Sequence, residues 1–163
     1  MSDKTKELQE KALKYFEDGH NCAQAVFTVF AEKLGIDHDT AFSISAGFGG
    51  GIARTQKTCG AVTGAVMAIG LMNCKNYSSP EDQKEAAYKL SLEFIDRFTA
   101  IHHTTECSQL LGHSLKTVEE RREAKEMGLF TNVCNRCVKD AVGIVRVITG
   151  IYTFAPLNLN SDK

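Results

Sequence analysis

Cysteines occupy positions 22, 59, 74, 107, 134 and 137 of the chain. The thiolate form of cysteine is both a nucleophile and a metal ligand. Four of the six stand at or near residues that open helices. Cys22 follows Asn21, Cys59 follows Thr58, Cys107 comes two residues after Thr105, and Cys134 two after Asn132. Asn and Thr are capping residues. A helix start offers unpaired N–H groups and a partial positive charge, and both favour thiolate over thiol. The pattern therefore predicts lowered pKa values at Cys22, Cys59, Cys107 and Cys134. Cys74 follows the end of a helix, where the same dipole acts the other way. Cys134-Asn135-Arg136-Cys137 is a CxxC, but it lacks the βαβ setting of a thioredoxin-like site and the second ligand pair of a zinc knuckle. His20 lies close to Cys22, and His102 and His103 precede Cys107; each could accept a thiol proton or complete a metal site. A solvated helix end is the commoner explanation for each of these histidines, and burial as a small hydrophobe would explain any single cysteine equally well.

The elements that would hold these thiols read as helices throughout, an all-α single-domain bundle of about six to eight. Apolar residues at helical spacing mark a first helix over Thr5 to Glu17, and a second runs from the cap Asn21 to Gly35. A short third covers Asp39 to Ala46. Phe48-Gly49-Gly50-Gly51 then permits positive φ and close backbone approach. A fourth helix from Thr58 to about Met72 is lined with Gly60, Ala61, Gly64, Ala65 and Ala68, which suits a central position in the bundle. Ser79-Pro80-Glu81-Asp82 opens a long helix to about Ile101. A short one follows over Glu106 to Leu111, and Thr117 with Glu120 forms a capping box for a charged helix to Met127. The last runs from Asn132 or Val133 to Thr149. Val145 to Tyr152 is β-branched enough to be a rival strand, and Pro156 to Lys163 reads as a frayed tail.

With 163 residues, the chain fits one domain that can bury a core without disulfide staples. Its 19 Lys+Arg balance 20 Asp+Glu, which gives no basic footprint for nucleic acid. No run approaches the length of a membrane span, and Met1 to Glu10 is charged rather than signal-like. These features predict a cytoplasmic location. Thiols stay reduced there, so six cysteines point to catalysis or metal ligation more than to staples.

Several blocks resemble a known family. Cys59-Gly60-Ala61-Val62-Thr63-Gly64 resembles the CGAxxG motif of the C_GCAxxG_C_C family of redox-active proteins. Asn21-Cys22-Ala23-Gln24-Ala25-Val26, Phe48-Gly49-Gly50-Gly51, Cys107-Ser108-Gln109-Leu110-Leu111-Gly112, and Cys134 with Val138 and Ala141 resemble its other blocks in order. The resemblance covers about residues 15–145. It implies Cys22, Cys59, Cys107 and Cys134 as the shared functional cysteines and leaves Cys74 and Cys137 as extras.

Three readings stay open at this point. The first is dithiol–disulfide redox or electron transfer with an unknown partner protein or small molecule, Cys59 being the expected attacking thiol. The second is an iron–sulfur cluster or zinc held by the same four cysteines, which 36, 47 and 26 intervening residues would bring together only between helices. A related domain occurs with split-Soret cytochromes, but this chain has no CxxCH, so covalent haem is not expected. The third is a helical interaction protein, such as a homodimer packed through the small-residue helix.

Overall fold

The computed structural model describes residues 3–73 and 77–150. Cys74, the frayed tail and the last residues of the rival strand lie outside the described residues. Among the described residues there are eight α-helices and no β-strand: α1 (Asp3–Glu17), α2 (Cys22–Lys33), α3 (His38–Ser45), α4 (Gly60–Asn73), α5 (Pro80–His102), α6 (Cys107–Leu111), α7 (Val118–Glu126) and α8 (Asn135–Thr149). The all-α expectation holds. Val145 to Thr149, the helical part of the rival strand, continues the buried stripe of α8.

The predicted caps form where local chemistry sets them. Asn21 Oδ1 accepts from the N–H groups of Ala23 and Gln24, and the Gln24 side chain accepts from Asn21 N. Ser79 caps α5 ahead of Pro80, and Thr117 and Glu120 form the reciprocal box at α7. Two helix starts differ from expectation. Thr58 is not a cap; it pairs in an isolated antiparallel bridge with Glu106, and α4 begins at Gly60. Asn132 opens nothing either, since a π-helical turn, Phe130–Cys134, runs without a break into α8.

α2 is the central helix, buried from Cys22 to Ala31 apart from Gln24. It packs on α1, α3, α4 and α8. Its tightest neighbour is α4, and glycine makes that approach possible. A Cβ at Gly64 would lie 2.7 Å from Ala23 O, and one at Gly60 would lie 2.8 Å from Cys22 Sγ. Ala61, Ala65 and Ala68 continue the close face, all fully buried. α1, α5 and α8 close the main core with Phe94, Phe98, Val138 and Val142. A smaller apolar cluster of Cys107, Leu111, Leu115 and Ala124 sits under α7 and the π turn.

Candidate functional site: a cluster of thiols at the ends of four elements

Five cysteines are described, and all five are free thiols. Cys22 is the first residue of α2. Cys59 occupies the capping position of α4, its carbonyl accepting from Val62 and Thr63. Cys107 is the first residue of α6. The segments before α4 and α6 zip together. Cys59 N–H donates to Thr105 O at 2.8 Å, Cys107 N–H to Lys57 O at 2.7 Å, and Ser108 N–H to Gln56 O at 3.1 Å. Gly51 packs so closely on Cys107 that a Cβ there would lie 2.7 Å from Cys107 Cβ. Cys134 ends the π turn and Cys137 lies one turn further on, in α8.

The structure brings the four predicted cysteines together and adds Cys137. The Cys22 thiol lies near that of Cys59, and the Cys59 thiol near that of Cys137, close enough for each pair to shift the other's ionisation. Cys107 and Cys134 are close enough to Cys22, and Cys134 to Cys107, for their charges to oppose one another. Cys22, Cys107 and Cys134 line a cavity of about 1150 Å³; Cys59 and Cys137 do not face it. Cys59, the expected attacking thiol, therefore stands behind Cys22. Cys137, read from sequence as an extra, is 1% exposed and belongs to the cluster. Its i, i+3 spacing from Cys134 was the available signal.

The predicted lowering of thiol pKa values is overturned. Cys22 is raised, first by the neighbouring Cys59 thiol and then by burial, against opposing N–H groups of Gly50 and Cys22 itself. Cys59 is raised chiefly by Cys137. Burial pushes Cys107 up to about 12, with Cys22 and Glu106 adding to it. Cys134 rises through burial and the neighbouring Cys22 and Cys107. Cys134 also has no helix start to activate it, since its backbone is helical (φ −66°, ψ −41°) inside the run from Phe130 to Thr149.

Histidines fall differently from their sequence neighbourhoods. His102 lies against Cys137, Nδ1 to Sγ 3.9 Å, and its Nε2 is 3.1 Å from Asp140 Oδ2. Burial lowers its pKa against the opposing pull of Asp140. His20 borders the cavity with its ring stacked on Phe42 at 3.8 Å. His103 ends α5 in the left-handed conformation. Among the described residues, no three Cys, His, Asp or Glu side chains are arranged to close on a metal ion.

Comparison with known proteins agrees with this cysteine frame. The model of the family described as "Putative redox-active protein (C_GCAxxG_C_C)" matches residues 20–148, and the chain belongs to that family. One similar protein, an uncharacterized protein of Archaeoglobus fulgidus, is 23% identical over 133 residues, covering 77% of this chain and 88% of the relative. No solved structure matches the chain. No helix among the described residues is long and apolar enough to cross a membrane.

Proposed function

We propose that this chain is a dithiol reductant that exchanges with a disulfide bound in the cavity floored by Cys22, Cys107 and Cys134. The observation that carries the reading is the convergence of cysteines from three separate elements on one cavity, with Cys59 against Cys22 behind it. A cavity thiol loses its proton and attacks one sulfur of the substrate disulfide. That S–S bond breaks, and the leaving thiolate takes up a proton. A second protein thiol then attacks the mixed disulfide and releases the other half as a thiol. Two protein thiols become one disulfide, one substrate disulfide becomes two thiols, and an external thiol reductant restores the protein. Cys59 stands behind Cys22 as a resolving partner.

The raised pKa values favour this direction. Strongly oxidising dithiol proteins owe their potential to a stabilised thiolate in the reduced form. Here the thiolate is destabilised at Cys22, Cys59, Cys107 and Cys134, so the dithiol lacks the stabilisation that would make it an oxidant.

The test is to purify the protein without oxygen, measure iron, zinc and acid-labile sulfide, and treat it with a small disulfide. Thiols are then counted after unfolding. Loss of two thiols per chain, reversed by dithiothreitol and prevented in Cys22→Ser, is the expected result. Stoichiometric metal with no thiol loss would replace this reading by a metal site. Unchanged thiols without metal would leave an inert bundle.

A further inference from the structure

The cavity has a charge opposite to that of the chain. Overall the protein carries a formal charge of −1. The cavity is bordered by Arg54, Arg121, Arg122 and Lys125, with Glu17 as the one carboxylate among its lining residues. Three of the four cations stand on or beside the exposed face of α7. Arg121 is anchored, its Nη1 donating to Leu115 O and Lys116 O at 3.0 Å each. Arg122 Nε reaches Glu126 only at 3.9 Å. Among the described residues, neither Arg54 nor Lys125 forms an ion pair.

Arg54 reaches the rim by an unusual backbone path. Gly50, Gly51, Ile52, Ala53 and Arg54 are all left-handed, with φ between 49° and 65°. For the three non-glycine residues this conformation costs about 1–2 kcal/mol each. Strain of this kind concentrates at ligand-binding turns. The same turn sets the Gly50 N–H on Cys22. It thus couples one cation of the rim to one thiol of the floor. Below the rim the walls are apolar, with Phe16, Leu111, Leu115 and Phe130. Asn135 also lines the cavity, and its Oδ1 is buried without a hydrogen-bond partner.

We infer that the substrate is a low-molecular-weight disulfide carrying carboxylates, its charges held at the Arg54, Arg122 and Lys125 rim and its sulfurs lowered onto Cys22, Cys107 and Cys134. A ligand N–H would also satisfy Asn135 Oδ1. Dianionic disulfides with amide groups meet all three demands; cationic ones are repelled at the mouth. This inference rests on the dithiol reading above and adds the selectivity to it. The electrons and atoms balance as in that exchange, with the anionic disulfide as the species reduced.

The experiment uses three probes with the whole reduced protein: oxidised glutathione, hydroxyethyl disulfide and cystamine, which are anionic, neutral and cationic. Each rate is divided by the same probe's rate with a free reference thiol, which removes intrinsic reactivity. Low salt should give an anionic-to-cationic preference of about 10-fold or more, since charge-lined clefts steer ligands by 10- to 1000-fold. The preference should shrink at high salt. It should fall or invert in the exposed double variant Arg122→Glu/Lys125→Glu, whose helicity is checked alongside. Equal normalised rates for the three probes would overturn the anion inference and leave the dithiol reading standing. No reaction with any probe would overturn both.

Discussion

Cys107 should be a slow thiol whose reactivity climbs with pH far beyond the usual range. The perturbation is a pulse of iodoacetamide on the reduced, folded protein, from pH 7 to pH 10.5. Burial, with Cys22 and Glu106 nearby, moves the Cys107 thiol from an ordinary 9.0 up to about 12. At pH 8 an ordinary thiol is about 10% thiolate, and one at 12 about 0.01%, a loss of roughly 1000-fold in the reactive form. Nucleophilicity rises with pKa at a Brønsted slope of about 0.4–0.5, which returns roughly 15- to 30-fold. Cys107 should therefore be alkylated about 30- to 60-fold more slowly than the same residue in the unfolded chain. Its rate should rise about tenfold per pH unit with no plateau below pH 10.5. Mass spectrometry of the Cys107 peptide after quenching gives the rate. Limited access to a residue only 6% exposed would lower the rate at every pH but leave that slope unchanged. A plateau at or below pH 9 would refute the burial argument, as would parity with the unfolded chain at pH 8.

Two further outcomes follow from packing and from His102. Gly64→Ala and Gly70→Ala are the same change in the same helix, and each gains about 1 kcal/mol of helix propensity. At 70 a Cβ meets nothing within 4 Å, whereas at 64 it would sit 2.7 Å from Ala23 O, in backbone that cannot yield. Gly70→Ala should raise the melting temperature by about 2–4 °C and Gly64→Ala should lower it, with overpacking costing about 1–3 kcal/mol; equal stabilisation of both would contradict the α2/α4 contact. His102, held below its usual pKa of 6.5 by burial, binds a proton less readily in the fold than in the unfolded chain. Its contribution is therefore present above pH 6.5 and is lost as pH falls below it. The urea midpoint should drop between pH 7.5 and 5.5, and by less in His102→Asn; an identical drop in both would remove His102 from the account.

The helices were legible wherever a few adjacent residues determine them. Asn21 with Gln24, Ser79 with Pro80, and Thr117 with Glu120 carry their own capping chemistry, and each forms as read. Thr58 reads as the same kind of signal and fails because residues far along the chain outbid it: the 57–59 segment pairs with 105–107, and the helix yields to that pairing. The glycines at 50 and 51 announce a turn, but nothing local says that Ile52, Ala53 and Arg54 continue it left-handed. Arg54, Arg122 and Lys125 are ordinary surface cations in sequence; only the fold, which sets α7 and the glycine loop around one cavity, gathers them. Cys137 was half visible, as a helical neighbour of Cys134, while its contact with Cys59 is purely tertiary.

Helix starts do gather three of the thiols, but they supply position rather than activation. The dipole argument assumes that the first N–H groups are free to meet a thiolate. Here the N–H of Cys59 goes to Thr105 O, and those of Cys107 and Ser108 go to Lys57 O and Gln56 O, so the bonds that bring these segments together take up several of the donors, and the Ala61 N–H left to Cys59 is outweighed by Cys137. Gly50 does offer an N–H to Cys22, yet the Cys59 thiol and burial outweigh it. Among thiols this close, each thiolate formed would raise the cost of the next, whereas a disulfide removes two ionisable groups at once. The charge that would help one thiol ionise stands instead at the rim, on Arg54, Arg122 and Lys125, where a substrate's own carboxylates would meet it first.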